Sequence, residues 1–141
     1  MKYVVDTSVA FKWVVAESLA DKAIRLRDDF RNGIDELLAV DIFPAEIGNA
    51  ILVAEWRGRI SPGQGAQLLA DVLNTCPALH VSAQLLPRAY DIAAQFRETV
   101  YDCLYVALAE REQCELVTAD DKLVRNLGIV FPFITSLASL S

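Results

Sequence analysis

Residues 2–8, KYVVDTS, place an apolar run directly before an acid and two hydroxyl residues. The aromatic and β-branched residues of this run are typical of a buried strand, and Asp6 ends it abruptly. In α/β proteins, binding and catalytic sites form beyond the carboxyl ends of the strands. We therefore predict a core strand over residues 2–6 and treat Asp6 as a candidate functional residue.

Apolar runs alternate with helical periodicity along the rest of the chain. Further strands are predicted at 38–43, 79–82, 115–117 and 129–131, and helices at 18–31, 44–56, 61–73, 87–96, 101–112 and 121–127. The helix at 61 is predicted from a capping box over 61–64. Short strands separated by helices imply right-handed crossovers and a mostly parallel sheet covered on both faces. Without repeats or linkers, residues 1–141 are predicted to form a single domain.

Composition excludes several classes of protein. The net charge of −6 argues against a broad basic face for nucleic acid. No run of 18 apolar residues and no signal-peptide pattern occurs, so we expect a cytoplasmic protein without a membrane span. Three cysteines without a CxxC motif indicate reduced thiols. One histidine, His80, rules out an imidazole-rich metal site and is interpreted as a partly exposed strand residue.

Four acids are predicted to meet at one edge of the sheet: Asp6, Glu46, Asp102 and Asp120. Asp6 follows the first strand, and Glu46 lies in the first turn of the helix after the second. The helix that Asp102 opens is about 16 Å long, and the strand after it runs back by roughly 10–15 Å. Asp120 therefore returns to the start of that helix. Because parallel strands all end at the same edge, the four carboxylates are expected to be neighbours.

Each acid also has a simpler structural explanation. Asp6 and Asp120 could cap helices, and Glu46 and Asp102 could complement positive helix ends. Four neighbouring carboxylates, however, repel one another and would raise at least one pKa unless a cation lies among them. An all-oxygen site favours Mg²⁺ or Mn²⁺. We therefore interpret the four acids as metal ligands and catalytic residues, and phosphodiester hydrolysis by a metal-activated water as the reaction.

Neighbouring polar residues could support this site. Thr7 and Ser8 can begin a helix and hydrogen-bond the preceding carboxylate or a phosphate oxygen. Asn49 lies one turn after the second acid and could orient it or a metal-bound water, or else be an exposed polar residue. Thr118 could support the last acid. Asp121 is expected to cap the short helix, with a further metal ligand as the alternative.

Positive residues near the site are few. Arg57 and Arg59 are interpreted first as complements to the negative end of a helix, with phosphate contact as the alternative. Lys12 is a candidate for phosphate contact. With the four site acids balanced by cations, the net charge becomes −6 + 4 = −2. RNA would then be held mainly at the metal.

The motifs VVDTSV (4–9), PAEIGNAI (44–51), YDCLYVALAE (101–110) and LVTADDKL (116–123) resemble those of the PIN-domain ribonucleases over nearly the whole chain. Within them the chain is similar to the VapC-type toxins of toxin–antitoxin pairs. The resemblance implies a three-layer α/β/α fold with a parallel sheet of four or five strands. It implies Mg²⁺- or Mn²⁺-dependent endonucleolytic cleavage of RNA that leaves a 5′-phosphate. It carries the same four acids into the acidic site, and it suggests a homodimer and a cognate VapB-like antitoxin that blocks the site.

Other readings of the sequence remain. A catalytically silent PIN-like scaffold that binds RNA or protein would be favoured by loss of a site acid, and none is lost. A phosphoaspartyl phosphatase would need an acid in place of Ser8. A flap-cleaving DNA nuclease would need additional segments to thread DNA. The C-terminal stretch 129–140, IVFPFITSLASL, could be apolar surface hidden by a partner or ordinary edge-strand packing.

Overall fold

The computed structural model describes residues 1–141 as a five-stranded sheet with seven α-helices. The strands are β1 (Lys2–Val5), β2 (Glu36–Val40), β3 (Ala78–His80), β4 (Glu115–Thr118) and β5 (Ile134–Ser136). The helices are α1 (Thr7–Phe11), α2 (Ala20–Arg31), α3 (Phe43–Trp56), α4 (Gly65–Leu73), α5 (Ser82–Phe96), α6 (Val100–Glu112) and α7 (Asp121–Leu127). A 3₁₀ turn, Leu137–Ser139, follows β5. All strand pairs are parallel, in the order β3-β2-β1-β4-β5.

Helices cover both faces of this sheet. From β1 the chain moves outward through β2 to β3, then returns past β1 to β4 and β5. Right-handed crossovers place α1–α4 on one face and α5–α7 on the other. Consecutive strand residues are buried, as in Leu37–Val40 and Leu116–Thr118, which requires cover on both sides. The predicted three-layer α/β fold is confirmed, with five strands and a wholly parallel sheet.

Helix α6 is the central helix of its layer. Seven consecutive residues, Cys103–Ala109, are buried, so the helix is surrounded on all sides. It packs across β1, β2 and β4 and against α5. Its first turn therefore has a fixed position relative to the strand ends, and that turn contains Asp102.

The predicted last strand, 129–131, is wrong. Residues 129–131 lie in the turn region after α7, and Ile129 is 92% exposed. Phe131 is buried by edge-to-face contacts with Phe96 and Phe133 rather than by strand pairing. The edge strand follows at Ile134–Ser136, where Ile134 and the adjacent Leu137 are buried. The C-terminal apolar stretch thus largely packs as edge-strand structure.

Other predicted boundaries differ from the observed ones for local reasons. Residues 61–64 form a turn with Gly63 at φ 84°, and α4 begins at Gly65 without a side-chain cap, so the predicted capping box is wrong. Helix α5 begins at Ser82, whose N–H donates to Asp41 Oδ2, and it accommodates Pro87 internally. Strand β2 is displaced toward the N-terminus because Phe43 already begins α3. None of the helices combines the length and apolar character needed to cross a bilayer.

Candidate active site

The sheet has a topological switch point between β1 and β4. The connection from β1 leads toward β2, while β4 lies on its other side and leads to β5. A crevice forms beyond the carboxyl ends of the two strands at such a point. The register pairs Val5 with Val117, so the next residues, Asp6 and Thr118, emerge side by side. The pairing of the two strand backbones therefore places the first residues of the predicted site next to each other.

Asp6 is buried at this crevice, with only 7% of its surface exposed. It is the N-cap of α1, where its Oδ1 accepts bonds from the Ser8 N–H at 3.1 Å and from the Ser8 hydroxyl. The Thr118 hydroxyl donates to its Oδ2. Burial raises the pKa of Asp6 to about 6, although these hydroxyl bonds oppose the rise, and the charge of Asp102 adds to it. The side chain that caps α1 thus also lines the predicted site.

Thr118 connects two of the predicted acids. Its fully buried hydroxyl, while donating to Asp6, accepts the Asp120 N–H at 3.1 Å. The Ser8 hydroxyl accepts the Ala119 N–H at 2.9 Å, which adds a second link between the ends of β1 and β4. Ser8 and Thr118 therefore hold the strand ends together. Thr7 lines the same cavity but has no side-chain hydrogen bond.

Glu46 reaches the crevice from the first turn of α3. The hydroxyl of Tyr105, a buried residue of α6, donates to Glu46 Oε1 at 2.9 Å. Burial raises the pKa of Glu46, the Tyr105 bond opposes that rise, and the charge of Asp102 adds to it. Tyr105 is a site residue that the sequence interpretation missed. Its position three residues after Asp102 on α6 is the signal that could have identified it.

Asp102 and Asp120 complete the acidic set. Thr99 caps α6 by accepting the Asp102 N–H at 3.1 Å. Burial is the main cause that raises the pKa of Asp102, with repulsion from Asp120 and Glu98 as further causes. Asp120 caps α7 by accepting the N–H groups of the second and third residues after it, and Asp121, which was expected to cap, is the first helical residue instead.

All four acids line one cavity of about 540 Å³, together with Thr7, Ser8 and Asn49. Asn49 makes no side-chain hydrogen bond there. No group of three or more acidic, histidine or cysteine side chains has the geometry of a preformed site for a metal ion. The carboxylates therefore share a cavity without forming a complete coordination sphere.

The chemistry of the cavity nevertheless fits a divalent cation. Its donors are carboxylate oxygens, with no imidazole or thiolate, which is the set that Mg²⁺ and Mn²⁺ prefer. Asp102 repels Asp6 and Glu46 and is itself repelled by Asp120, so its charge interacts with each of the other three. A cation among them would relieve that repulsion and part of the cost of burial.

Lys12 does not serve as a free phosphate-binding group. It is buried, and its Nζ donates to Glu17 Oε1 at 2.9 Å and to the Ser18 carbonyl at 2.8 Å. Glu17 also accepts from Arg59 Nη2 at 2.7 Å. The sequence could not reveal this, because the ion pair depends on how the loop after α1 folds back.

Comparisons with known proteins agree with this architecture. The family model described as PIN domain matches residues 3–127. Ribonuclease VapC3 of Pyrobaculum aerophilum is 31% identical over 128 residues, which are 89% of this chain and 95% of that protein. The crystal structure of PAE2754 from Pyrobaculum aerophilum is similar with a TM-score of 0.66, covering 99% of this chain and 94% of that one. At 23% identity, the structural likeness bears on the fold alone.

The raised pKa of Asp6 predicts a stability penalty at neutral pH. The folded chain binds this proton more tightly than the unfolded chain, so stability falls as pH rises from about 4 to 6. Each pKa unit corresponds to about 1.4 kcal/mol, which puts the penalty above pH 6 on the order of 3 kcal/mol. We expect Asp6→Asn to recover part of it in EDTA at pH 7.5, measured by urea unfolding.

The advantage of the variant should disappear below about pH 4, where the wild-type carboxyl is protonated in both states. Asp21→Asn, which removes an exposed carboxylate of α2 outside the cavity, is the matched control and should not be more stable than wild type at pH 7.5. A variant that is less stable than wild type by the same amount at every pH would contradict the assignment.

Tyr105→Phe tests whether this hydroxyl positions Glu46. Loss of the hydrogen bond should raise the pKa of Glu46 further, because the bond favours the charged form. Carbon-13 NMR titration of the glutamate carboxyls measures this, with Glu46→Gln to assign the signal. Tyr101→Phe, at an exposed tyrosine in the preceding turn, is the control. An unchanged Glu46 titration in Tyr105→Phe would refute the positioning role.

Proposed function

The chain belongs to the PIN-domain family, and from this premise we propose that it is a metal-dependent endoribonuclease, the toxin of a VapBC-like toxin–antitoxin pair. The observation that carries the proposal is the single cavity into which β1, α3, α6 and the start of α7 bring four carboxylates. All four predicted acids are present, which favours an enzyme over a catalytically silent scaffold.

The residues that would hold the cation are Asp6, Glu46, Asp102 and Asp120. When bound, Mg²⁺ or Mn²⁺ would supply an activated water and charge stabilisation at the phosphorus. The chain has no histidine in the cavity to act as a base, so its carboxylates must do the binding and the orientation. A cation that activates water, held and oriented by carboxylates, fits hydrolysis of a phosphodiester.

The chain's own contribution is to fix carboxylate positions before substrate arrives. Asp6 is held through both oxygens by Ser8 and Thr118, and Glu46 is held by Tyr105. Asp120 is held by backbone N–H groups of α7. Small errors in the placement of reacting groups are costly in catalysis, so oriented acids favour a reactive geometry.

Two protein partners belong to the proposal: a VapB-like antitoxin and a second copy of this chain. The name of the relative VapC3 and the PIN-domain family support the first. Large apolar side chains exposed on the surface, among them Trp56 at 72% and Tyr90 at 64%, offer area for protein contacts.

Cleavage of RNA by the purified chain, free of partner proteins, is the direct test. With Mg²⁺ or Mn²⁺ we expect cleavage products that end in a 5′-phosphate, and EDTA should stop the reaction reversibly. Asp6→Asn and Asp102→Asn should each lower kcat/KM by at least about 100-fold, since each removes a site charge. Gel analysis of end-labelled RNA gives both rate and product ends.

Asp21→Asn is again the control, because it removes a carboxylate outside the cavity and should cleave as the wild type does. Folding of each variant is checked by circular dichroism. Wild-type protein that binds RNA but cleaves none with either metal would instead support the scaffold.

Metal binding should also stabilise the fold without any substrate. A ligand at 100 times its Kd adds about 2.7 kcal/mol to the free energy of unfolding. For a domain of this size that corresponds to a Tm increase of several degrees, on the order of 5–10 °C. We expect this rise with millimolar Mn²⁺ in wild type and its loss in Asp102→Asn. Equal Tm responses of the two proteins would show that the acids do not share a metal site.

A further inference from the structure

The cavity continues along α3 as a groove. The α3 residues that line it, together with the C-cap Arg57, are spaced three and four apart and so form one face of the helix: Glu46, Asn49, Ala50, Val53, Ala54 and Arg57. Phe11 and Lys12, from α1 and its C-cap, line it too, and α1 packs against α3. Between Glu46 and Arg57 this face of α3 carries no charge. The eleven-residue separation places the two ends of the groove about 16 Å apart along the helix.

The two ends of the groove have opposite charge. Four carboxylates surround the end at Glu46, whereas Lys12, Arg57, Arg59 and one acid, Glu17, line the other part. Glu17 pairs with Lys12 and Arg59 together, so three cations face a single anion there. Arg57 is exposed and forms no ion pair or hydrogen bond with its side chain. Its guanidinium is thus the positive group at the basic end of the groove that has no partner within the protein.

Arg59 is placed for an auxiliary role. Its guanidinium lies over the Phe11 ring at 5.4 Å and donates to Glu17, while about half of its side chain stays exposed. A guanidinium held in this way presents its remaining donors without losing much further freedom. Guanidinium groups bind phosphate oxygens through paired hydrogen bonds.

We propose that Arg57, assisted by Arg59, forms a second subsite that binds a backbone phosphate of single-stranded RNA away from the phosphate being cleaved. The proposal rests on the proposed function, because it takes the acidic end of the groove as the cleavage site. A net negative protein can then hold a polyanion through a local cationic subsite. Single-stranded RNA fits because a groove along one helix admits an extended backbone.

The competing explanation is that Arg57 only complements the negative end of α3. A dipole partner need not line a cavity, and its loss would lower stability without changing RNA affinity. Arg57 is the C-cap of α3 through its backbone, which Arg57→Ala retains. Binding and stability measurements on the same variant therefore separate the two roles.

The test is binding of a fluorescein-labelled single-stranded RNA of about 12 nucleotides, in EDTA to prevent cleavage, over a range of salt concentrations. Arg57→Ala should weaken binding by about tenfold and reduce the slope of log K against log salt by about 0.7, the value for one phosphate contact. Arg57→Lys should recover part of the affinity. The matched control is Arg25→Ala, which removes an exposed arginine of α2 outside the groove and should bind like wild type.

Cleavage kinetics extend the test. With Mn²⁺, Arg57→Ala should raise KM for the long RNA at unchanged kcat, while a dinucleotide, too short to reach this end, should be cleaved equally by both proteins. If Arg57→Ala and Arg25→Ala bind RNA equally, or if wild type binds no RNA, the subsite is refuted. Arg57-dependent binding without cleavage by wild type would refute the proposed function and leave the subsite standing.

Discussion

The buried carboxylate of Asp6 is the constraint on which the rest of the site depends. Removing this group from water costs free energy, and the chain offsets the cost with hydrogen bonds from Ser8 and Thr118. The same bonds fix both carboxylate oxygens, so the groups that make burial tolerable also orient the acid. A side chain free to rotate in solvent would be less costly and less well positioned. Functional sites often hold a side chain in a fixed position at a cost in the stability of the fold.

Sheet topology explains why the other acids gather around Asp6. Strand order reverses between β1 and β4, which leaves a crevice where the ends of both strands are accessible. Thr118, at the end of β4, donates a hydrogen bond to Asp6 and accepts one from the Asp120 backbone. These two bonds fix the position of Asp120 relative to Asp6. Helix α6, buried on all sides, brings Asp102 to the same place. Repulsion among the carboxylates is therefore a consequence of the fold and is built into it before any ligand binds.

Much of this arrangement could be predicted from local sequence. A strand that ends on Asp6, and a helix–strand pair whose lengths return Asp120 to Asp102, both follow from fixed rises per residue. The contact of Tyr105 with Glu46 was not predicted, because it joins residues 59 apart in sequence and depends on how α3 and α6 pack. The strand expected at 129–131 failed for a related reason: its apolar residues suit a strand, but aromatic packing of Phe131 decides the turn. The local sequence pattern was sufficient to predict most helices and strands. The side-chain contacts between them depend on packing across the layers, which the local pattern does not contain.

The charge distribution reconciles an acidic protein with the polyanionic substrate proposed for it. The net charge of −6 describes the whole chain, but the groove is polarised, with carboxylates at one end and guanidinium groups at the other. Without a cation, the acidic end repels a phosphate, and only the basic end attracts it. Occupancy of the acidic end by a cation would remove that repulsion, so the proposed cation and RNA would each improve the binding of the other by the same factor. Under the proposed function, the acids that make the unliganded fold less stable would thus be the groups that make RNA binding at the cleavage end depend on metal.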